Sequence, residues 1–176
     1  MREGTLYEDK RGNIVFVGFD EHHTPRFASL RGTYGDSEFR QDCAGSGKRY
    51  GFHMTYSQSE RLYIFESAID AMSHASLWNC IDGDQYSFQW DNRLSLSGTS
   101  DAALRGYLES HPNVKELVFC LDNDPPGREA AAALARKYAA RGYITNVEVP
   151  EGKDFNDDLR AMMSRATFKV HKEISL

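Results

Sequence analysis

The spacing of apolar residues divides the chain into two parts. Residues 1–61 contain short apolar runs, clearest at 13–19 and 25–30, that are broken by glycines and show no helical period. From residue 61 onward, short apolar runs alternate with stretches whose apolar positions recur at helical spacing. This alternation is typical of a mostly parallel sheet with flanking helices. The pattern predicts a small β-rich subdomain over residues 1–61, followed by a compact α/β domain over 62–165.

The α/β part is predicted to contain four mostly parallel strands connected by helices. The predicted strands are residues 61–65, 94–97, 117–121 and 144–149. The predicted helices are 67–77, 101–110 with Ser100 as N-cap, 126–141 with Gly142 as C-cap, and a last helix from Asp154 or Asn156 to Arg165. Residues 81–93 are polar without a period and receive no assignment, and the tail 166–176 is predicted to be a short edge strand or disordered. Right-handed crossovers bring the carboxyl ends of all four strands to one edge.

Acidic residues follow two of these strands at that edge. Glu66 ends the first strand, and Asp122 and Asp124 end the third, with Pro125 and Pro126 then opening an Ala-rich helix. Open α/β sheets bind ligands at the carboxyl ends of their strands. The pattern therefore predicts that Glu66, Asp122 and Asp124 meet at one site.

Further acids lie close to this predicted site. Asp70 is one helical turn after Glu66, and Asp154 follows the fourth strand beside Lys153. Unit charges of like sign about 4 Å apart repel by about 4 kcal/mol at an effective dielectric constant of about 20, so such a cluster needs a cation or raised pKa values. An all-oxygen set of ligands favours Mg²⁺ or Mn²⁺ over zinc. Taken singly, each acid has an alternative role as a helix cap or as a solvated residue of a helix's first turn.

The glycine-rich stretch 45–56 combines basic and aromatic residues. Lys48 and Arg49 in a flexible loop would suit phosphate, with a neighbouring ring stacking on a base. The alternative is a turn that leads into a strand with aromatic residues in the core. The sequence leaves both open.

Composition narrows the class of protein. The formal net charge of −5 argues against bulk electrostatic binding of nucleic acid, although a cluster of metal-binding carboxylates would itself make a domain acidic. The three cysteines are far apart and predict neither disulfides nor a zinc ribbon. With no long apolar run and no signal-peptide core in MREGTLYEDK, we expect a cytoplasmic protein without a membrane partner.

Three ordered segments resemble the toprim domain, most closely that of DnaG-type primases. FESAIDAMS is similar to their EGxxD segment, FCLDNDPPGREAA to their DGDxAGxxAA segment and PEGKDFNDDL to their GKDPD segment. Upstream, GSGKRYGF is similar in order to their KGxxLYG loop, so that Lys48 matches the loop lysine. Ser67 stands where primases have glycine, and Asn156 where they have the second Asp of DPD. KDFNDD instead resembles primase-like toprim proteins of conjugative elements and phages.

The resemblance implies a Mg²⁺-dependent primase-like nucleotidyltransferase acting in DNA replication, from a mobile element. Glu66 would be the general acid or base, while Asp122 and Asp124 would hold Mg²⁺, with Asp70 and Asp154 completing its coordination or holding a second ion. The candidate phosphate contacts are Lys48, Arg49, Arg128 and Lys153. The implied partners are single-stranded DNA or other nucleic acid, nucleoside triphosphates, and other replication or mobilisation proteins.

Three alternatives use the same sequence differently. A metal-dependent toprim nuclease would use the same acids to activate water. A non-catalytic toprim scaffold would bind nucleic acid or a partner, although the intact Glu66, Asp122 and Asp124 argue against decay. Chance likeness to receiver-type or phosphatase-type sheets, which also end strands in Asp, fits poorly with Glu66 and Gly98.

Overall fold

The computed structural model describes residues 4–34, 39–56 and 58–174, with side chains described up to residue 165. The strands are β1 Leu6–Glu8, β2 Ile14–Phe19, β3 Pro25–Arg31, β4 Arg40–Asp42, β5 His53–Met54, β6 Arg61–Phe65, β7 Asn92–Ser95, β8 Glu116–Cys120 and β9 Ile144–Val147. The helices are α1 Ala68–Asp82, α2 Ala102–Ser110, α3 Pro125–Ala139 and α4 Phe155–Ile174. Two short 3₁₀ turns occupy Lys48–Tyr50 and Ser87–Gln89.

The first part of the chain forms an antiparallel sheet in the order β1-β2-β3-β4. Its two central strands are those predicted from the apolar runs, and β2 buries Val15, Phe16 and Val17. The outer strands β1 and β4 are three residues long and largely exposed, which is too short for a periodic pattern to show in their sequences.

The second sheet has the order β5-β7-β6-β8-β9. The four strands β6 to β9 are parallel to one another, which confirms the predicted mostly parallel sheet, and β5 pairs antiparallel with β7 at one edge. The glycine-rich stretch 45–56 thus forms a turn and then an edge strand of this sheet. Phe52 is fully buried and its ring lies 5.2 Å from that of Phe16, as the core-aromatic alternative expected.

Helices cover both faces of the second sheet. On one face, α2 and α3 pack on residues that include Leu62, Ile64 and Phe119. On the other, α1 and the start of α4 pack on Phe65 and Val118 among others. Burial on both faces is expected for parallel strands and explains their continuous apolar runs.

Strand β7 begins two residues earlier than predicted and ends at Ser95 rather than Ser97. Its first two residues, Asn92 and Arg93, are polar but buried. Asn92 satisfies its amide by accepting from the Tyr56 backbone and donating to two backbone oxygens. The unassigned segment 81–93 therefore contains the end of α1, a 3₁₀ turn and the start of β7.

Helix boundaries also differ from the prediction. Helix α1 continues to Asp82 and stops at Gly83, which has a left-handed φ of 68°. Asp101, not Ser100, precedes α2, and α3 ends before the predicted cap Gly142. The predicted edge strand or disorder in the tail is wrong for residues 166–174, since α4 continues to Ile174 and no Gly or Pro interrupts it. Among the described residues, no helix is both long and apolar enough to cross a membrane.

Candidate metal centre at the strand ends

Glu66 directly follows β6 and is partly buried. Burial raises the pKa of its carboxyl group, and repulsion from Asp124 and Asp70 raises it further. Lys153 and Arg40 partly offset this effect. Glu66 therefore shares one electrostatic environment with the acids of the other strand ends.

Asp122 lies beside Glu66 because β6 and β8 are adjacent and end in register, with Phe65 opposite Cys120. Burial, together with repulsion from Glu66, Asp154 and Asp124, raises the pKa of Asp122 to about 6. The structure thus brings the predicted Glu and DxD segments together.

Asp124 has two roles. Its Oδ1 accepts a hydrogen bond of 2.8 Å from the Gly127 backbone, which makes it the N-cap of α3. Its negative charge also raises the pKa values of Glu66 and Asp122. The capping role considered as an alternative therefore coexists with membership of the acidic cluster.

Gly127 allows this turn to form. A Cβ atom at residue 127 would lie 2.2 Å from the Asp122 backbone oxygen, a contact that the backbone must move to relieve. We expect Gly127→Ala to destabilise the protein by about 1–3 kcal/mol, as overpacking does, although alanine is the better helix former. Thermal or urea unfolding measures this effect, with exposed Glu129→Ala on the same helix as the control. A Gly127→Ala protein as stable as the control would contradict the tight packing of this turn.

Asp70 is 6% exposed, and burial is the main reason that its pKa rises to about 6. It accepts hydrogen bonds from the Ser67 hydroxyl and, at 3.2 Å, from the Asn156 backbone. Repulsion from Asp154 and Asp122 adds to the rise of its pKa. Ser67 and Asn156, both departures from the primase pattern, are thus hydrogen-bonded to Asp70.

Three aspartates follow β9, at positions 154, 157 and 158. Asp154 accepts 2.8 Å from the Asp157 backbone and contributes repulsion at both Asp70 and Asp122. Asp158 turns back to accept from the Glu151 and Gly152 backbones. Of the three, Asp154 is the one whose charge acts on the other acids of the cluster.

The predicted phosphate contacts are placed differently from one another. Lys48 lies 3.1 Å from both Asp42 and the Ser97 carbonyl oxygen, Arg49 pairs with Glu109, and Arg128 donates to Asn123. The charge of Lys153 instead lowers the pKa values of Glu66 and Asp122. These four cations therefore do not form one patch. Of the four, only Lys153 affects the pKa values of the strand-end acids.

Arg40 is a cation that the sequence did not indicate. It lies in β4 of the first sheet, yet its charge lowers the pKa of Glu66, a residue of the second sheet. No motif marks it, because it reaches Glu66 only through the packing of the two sheets.

The cluster supplies the type of ligand that a divalent cation takes, although among the described residues no three of its acids have ligand atoms that all lie within 4.8 Å of one another. Its five carboxylates, from Glu66, Asp70, Asp122, Asp124 and Asp154, come from three separate segments of the chain. Two of them, Asp70 and Asp122, have pKa values raised to about 6, chiefly by burial, and repulsion from the other acids adds to the rise. Oxygen ligands of this kind suit Mg²⁺ or Mn²⁺.

A second group of metal-ligand types is a poorer candidate. Ligand atoms of His74, Cys120 and Glu148 lie within 4.8 Å of one another. However, Arg93 Nε approaches His74 Nδ1 at 3.1 Å and Trp78 Nε1 approaches Nε2 at 2.9 Å. Both groups can only donate, so a metal would have to displace one of them from the imidazole. We interpret this group as a buried polar network beneath α1.

Comparison with known proteins gives matches along most of the chain. Residues 63–159 match the family model described as Toprim-like. Residues 1–59 match a second model, described as a protein of unknown function (DUF3991). A 65 kDa protein of Zymomonas mobilis is 27% identical over 165 residues, which are 87% of this chain and 27% of that protein. The chain therefore spans about a quarter of that relative.

Solved primase structures share the fold. The primase fragment of the bacteriophage T7 primase-helicase protein superimposes with a TM-score of 0.62 at 16% identity, covering 93% of this chain and 65% of the fragment. A DnaG primase catalytic domain bound to ssDNA gives 0.60 at 18% identity, covering 97% and 56%. The E. coli primase catalytic core gives 0.57 at 18% identity, covering 90% and 53%. The similarity thus includes both sheets.

Proposed function

Because the chain belongs to the Toprim-like family, we propose that it is the core of a Mg²⁺- or Mn²⁺-dependent nucleic-acid enzyme that carries out primase-like nucleotidyl transfer on single-stranded DNA. The observation that carries this proposal is the convergence of Glu66, Asp122 and Asp124 at adjacent strand ends, with the pKa of Asp122 raised to about 6. Asp122 and Asp124 would hold the ion, and Asp70 and Asp154 would complete its surroundings. When bound, the ion neutralises developing charge on the phosphate undergoing transfer.

Glu66 is the proposed general acid or base. Its pKa is raised towards neutral pH, where a carboxyl group can both take up and release a proton. In nucleotidyl transfer it would accept the proton of the attacking sugar hydroxyl. Because Glu66 follows a rigid central strand, its position relative to Asp122 is fixed by the register of β6 and β8.

Lys153 and Arg40 are the proposed phosphate contacts nearest the acids. Both charges lower the pKa of Glu66, and a phosphate between them would contact both β4 of the first sheet and the loop that follows β9. Lys48 and Arg128 are already bonded to Asp42 and to Asn123, so they are weaker candidates. This placement also accounts for binding by a chain of net charge −5, since the cations act locally.

The fold favours polymer synthesis as the reaction. The matching structures are primases, one of them bound to ssDNA, and their similarity extends over the first sheet as well as the toprim part. Nucleoside triphosphates are then the second substrate. From the KDFNDD segment, we also infer a protein of a mobile element that works with other replication or mobilisation proteins.

The test is incubation with labelled single-stranded DNA, all four ribonucleoside triphosphates and Mn²⁺. New oligonucleotides that require both metal and triphosphates are the expected result. Glu66→Gln should lose them, whereas exposed Glu129→Gln should keep them. Shortened DNA that disappears with Glu66→Gln would identify a nuclease instead. DNA binding without any chemistry would identify a non-catalytic scaffold.

A further inference from the structure

Asn123, between the two metal-site aspartates, is hydrogen-bonded to the loop that follows β9. Its backbone N–H donates to the Lys153 carbonyl oxygen at 2.7 Å. Its side-chain Nδ2 donates to the carbonyl oxygens of Pro150 and Gly152, at 3.1 and 3.2 Å. Three of the four carbonyl groups of residues 150–153 are therefore held by one residue.

Arg128 fixes the orientation of this amide. Its Nη1 donates to both the backbone oxygen and Oδ1 of Asn123, each at 2.8 Å. Because an arginine can only donate, Oδ1 must face it, and Nδ2 must face the loop. An aspartate at residue 123 would instead direct a carboxylate oxygen at two carbonyl oxygens.

The same loop is held from its other side by α4. Asp158 accepts from the backbone N–H groups of Glu151 and Gly152, at 2.9 and 2.7 Å. The loop therefore lies between two sets of hydrogen bonds, in which Asn123 binds its carbonyl groups and Asp158 binds its N–H groups.

The loop ends in two side chains that act on the metal centre. Lys153 lowers the pKa values of Glu66 and Asp122, and Asp154 raises those of Asp70 and Asp122. The position of one cation and one anion at the centre thus depends on where the loop is held. In the DnaG-type segment that this stretch resembles, glycine stands between the two aspartates and has no side chain for this purpose.

We propose that Asn123 is a positioning residue that holds Lys153 and Asp154 against the DxD aspartates. The proposal rests on the metal centre of the proposed function. It implies that Asn123 and Asp154 act on the bound ion as a coupled pair, because losing the hydrogen bonds of Asn123 releases the loop that carries Asp154. Residues that orient metal ligands typically contribute about 10- to 100-fold to affinity.

The experiment measures Mn²⁺ affinity by calorimetry in Asn123→Ala, Asp154→Asn and the double variant, together with amide hydrogen exchange of the loop. Asn123→Ala should weaken Mn²⁺ binding about tenfold and speed exchange at residues 151–154. As a single substitution, Asp154→Asn should weaken Mn²⁺ binding. In the Asn123→Ala background it should add little further loss. The control is Asn146→Ala. Asn146 lies in β9, and the substitution removes one exposed hydrogen bond to Glu116.

Wild-type Mn²⁺ affinity in Asn123→Ala, or fully additive effects of the two substitutions, would overturn the proposal. If wild-type protein binds no Mn²⁺, the metal centre itself fails, and unchanged exchange in Asn123→Ala would show separately that Asn123 does not hold the loop. Should Asn123→Ala not fold, Arg128→Ala tests the same amide from its other side. It should change Mn²⁺ affinity and loop exchange in the same direction by a smaller factor, and wild-type values for both would again overturn the proposal.

Discussion

Glu66→Gln will lower the rate of metal-dependent oligonucleotide synthesis by about 100- to 10,000-fold, the usual contribution of a positioned general acid or base. Gln keeps the size of the side chain but cannot take up or release the proton. The fold should tolerate it, because burial and neighbouring acids already disfavour the charged form of Glu66. The melting temperature without metal should stay the same or rise.

The measurement is the initial rate of synthesis at fixed template, triphosphate and Mn²⁺ concentrations. Glu129→Gln, the same chemical change at an exposed position of α3, should keep the wild-type rate. Synthesis by Glu66→Gln within a factor of a few of wild type would mean that the proton is transferred elsewhere. A parallel loss in both variants would indicate a general effect of removing negative charge.

Asp122→Asn will raise the melting temperature of the metal-free protein and abolish its increase with Mn²⁺. The folded-state pKa of Asp122, about 6, lies above the ordinary value of 3.8, so the ionised carboxylate destabilises the fold. This destabilisation is fully present at pH values well above 6 and disappears below pH 3.8, where Asp122 is protonated in both the folded and unfolded states. Since water screens a partly exposed group, we expect about 1 kcal/mol, or roughly 2–4 °C.

The melting temperature is measured from pH 4 to pH 8, with and without Mn²⁺. The difference between Asp122→Asn and wild type without metal should be largest at pH 8 and should shrink as the pH falls to 4. With Mn²⁺ present, wild type should have the higher melting temperature. The metal stabilises wild type by mass action, whereas the variant has lost a ligand. An unchanged response to Mn²⁺ in Asp122→Asn would remove this residue from the metal centre.

The strand-end acids could be predicted because they follow from chain order alone. Short apolar runs alternate with helical periods, and right-handed crossovers then place Glu66 and Asp122 at the same edge of a parallel sheet. The register of β6 with β8 confirms this placement. The prediction needed no information on side-chain contacts.

Buried polar residues limited the prediction of β7. Arg93 is 2% exposed, yet it looks like a surface residue in the sequence. Its guanidinium donates to the backbone oxygens of Phe88 and Asp91 and to His74, all of which lie outside β7. A hydropathy pattern cannot show such partners, so the strand was predicted to start only at Leu94.

The cations show the same limit. Lys48 was predicted as a phosphate contact from its motif, but in the structure it is paired with Asp42. Arg40 stands in a short exposed strand without a motif, and its charge acts on Glu66. Which cation lies near the acids depends on how the first sheet packs against the second. No local sequence pattern predicts that packing.

The central claim is that the strand-end carboxylates form the metal centre, and the most direct test is a crystal structure of the protein soaked in Mn²⁺ with anomalous diffraction at the manganese edge. We predict an anomalous peak bounded by carboxylate oxygens of Glu66, Asp122 and Asp124. A peak at His74, Cys120 and Glu148 instead, or no peak near Asp122 at a Mn²⁺ concentration that stabilises the protein, would contradict it.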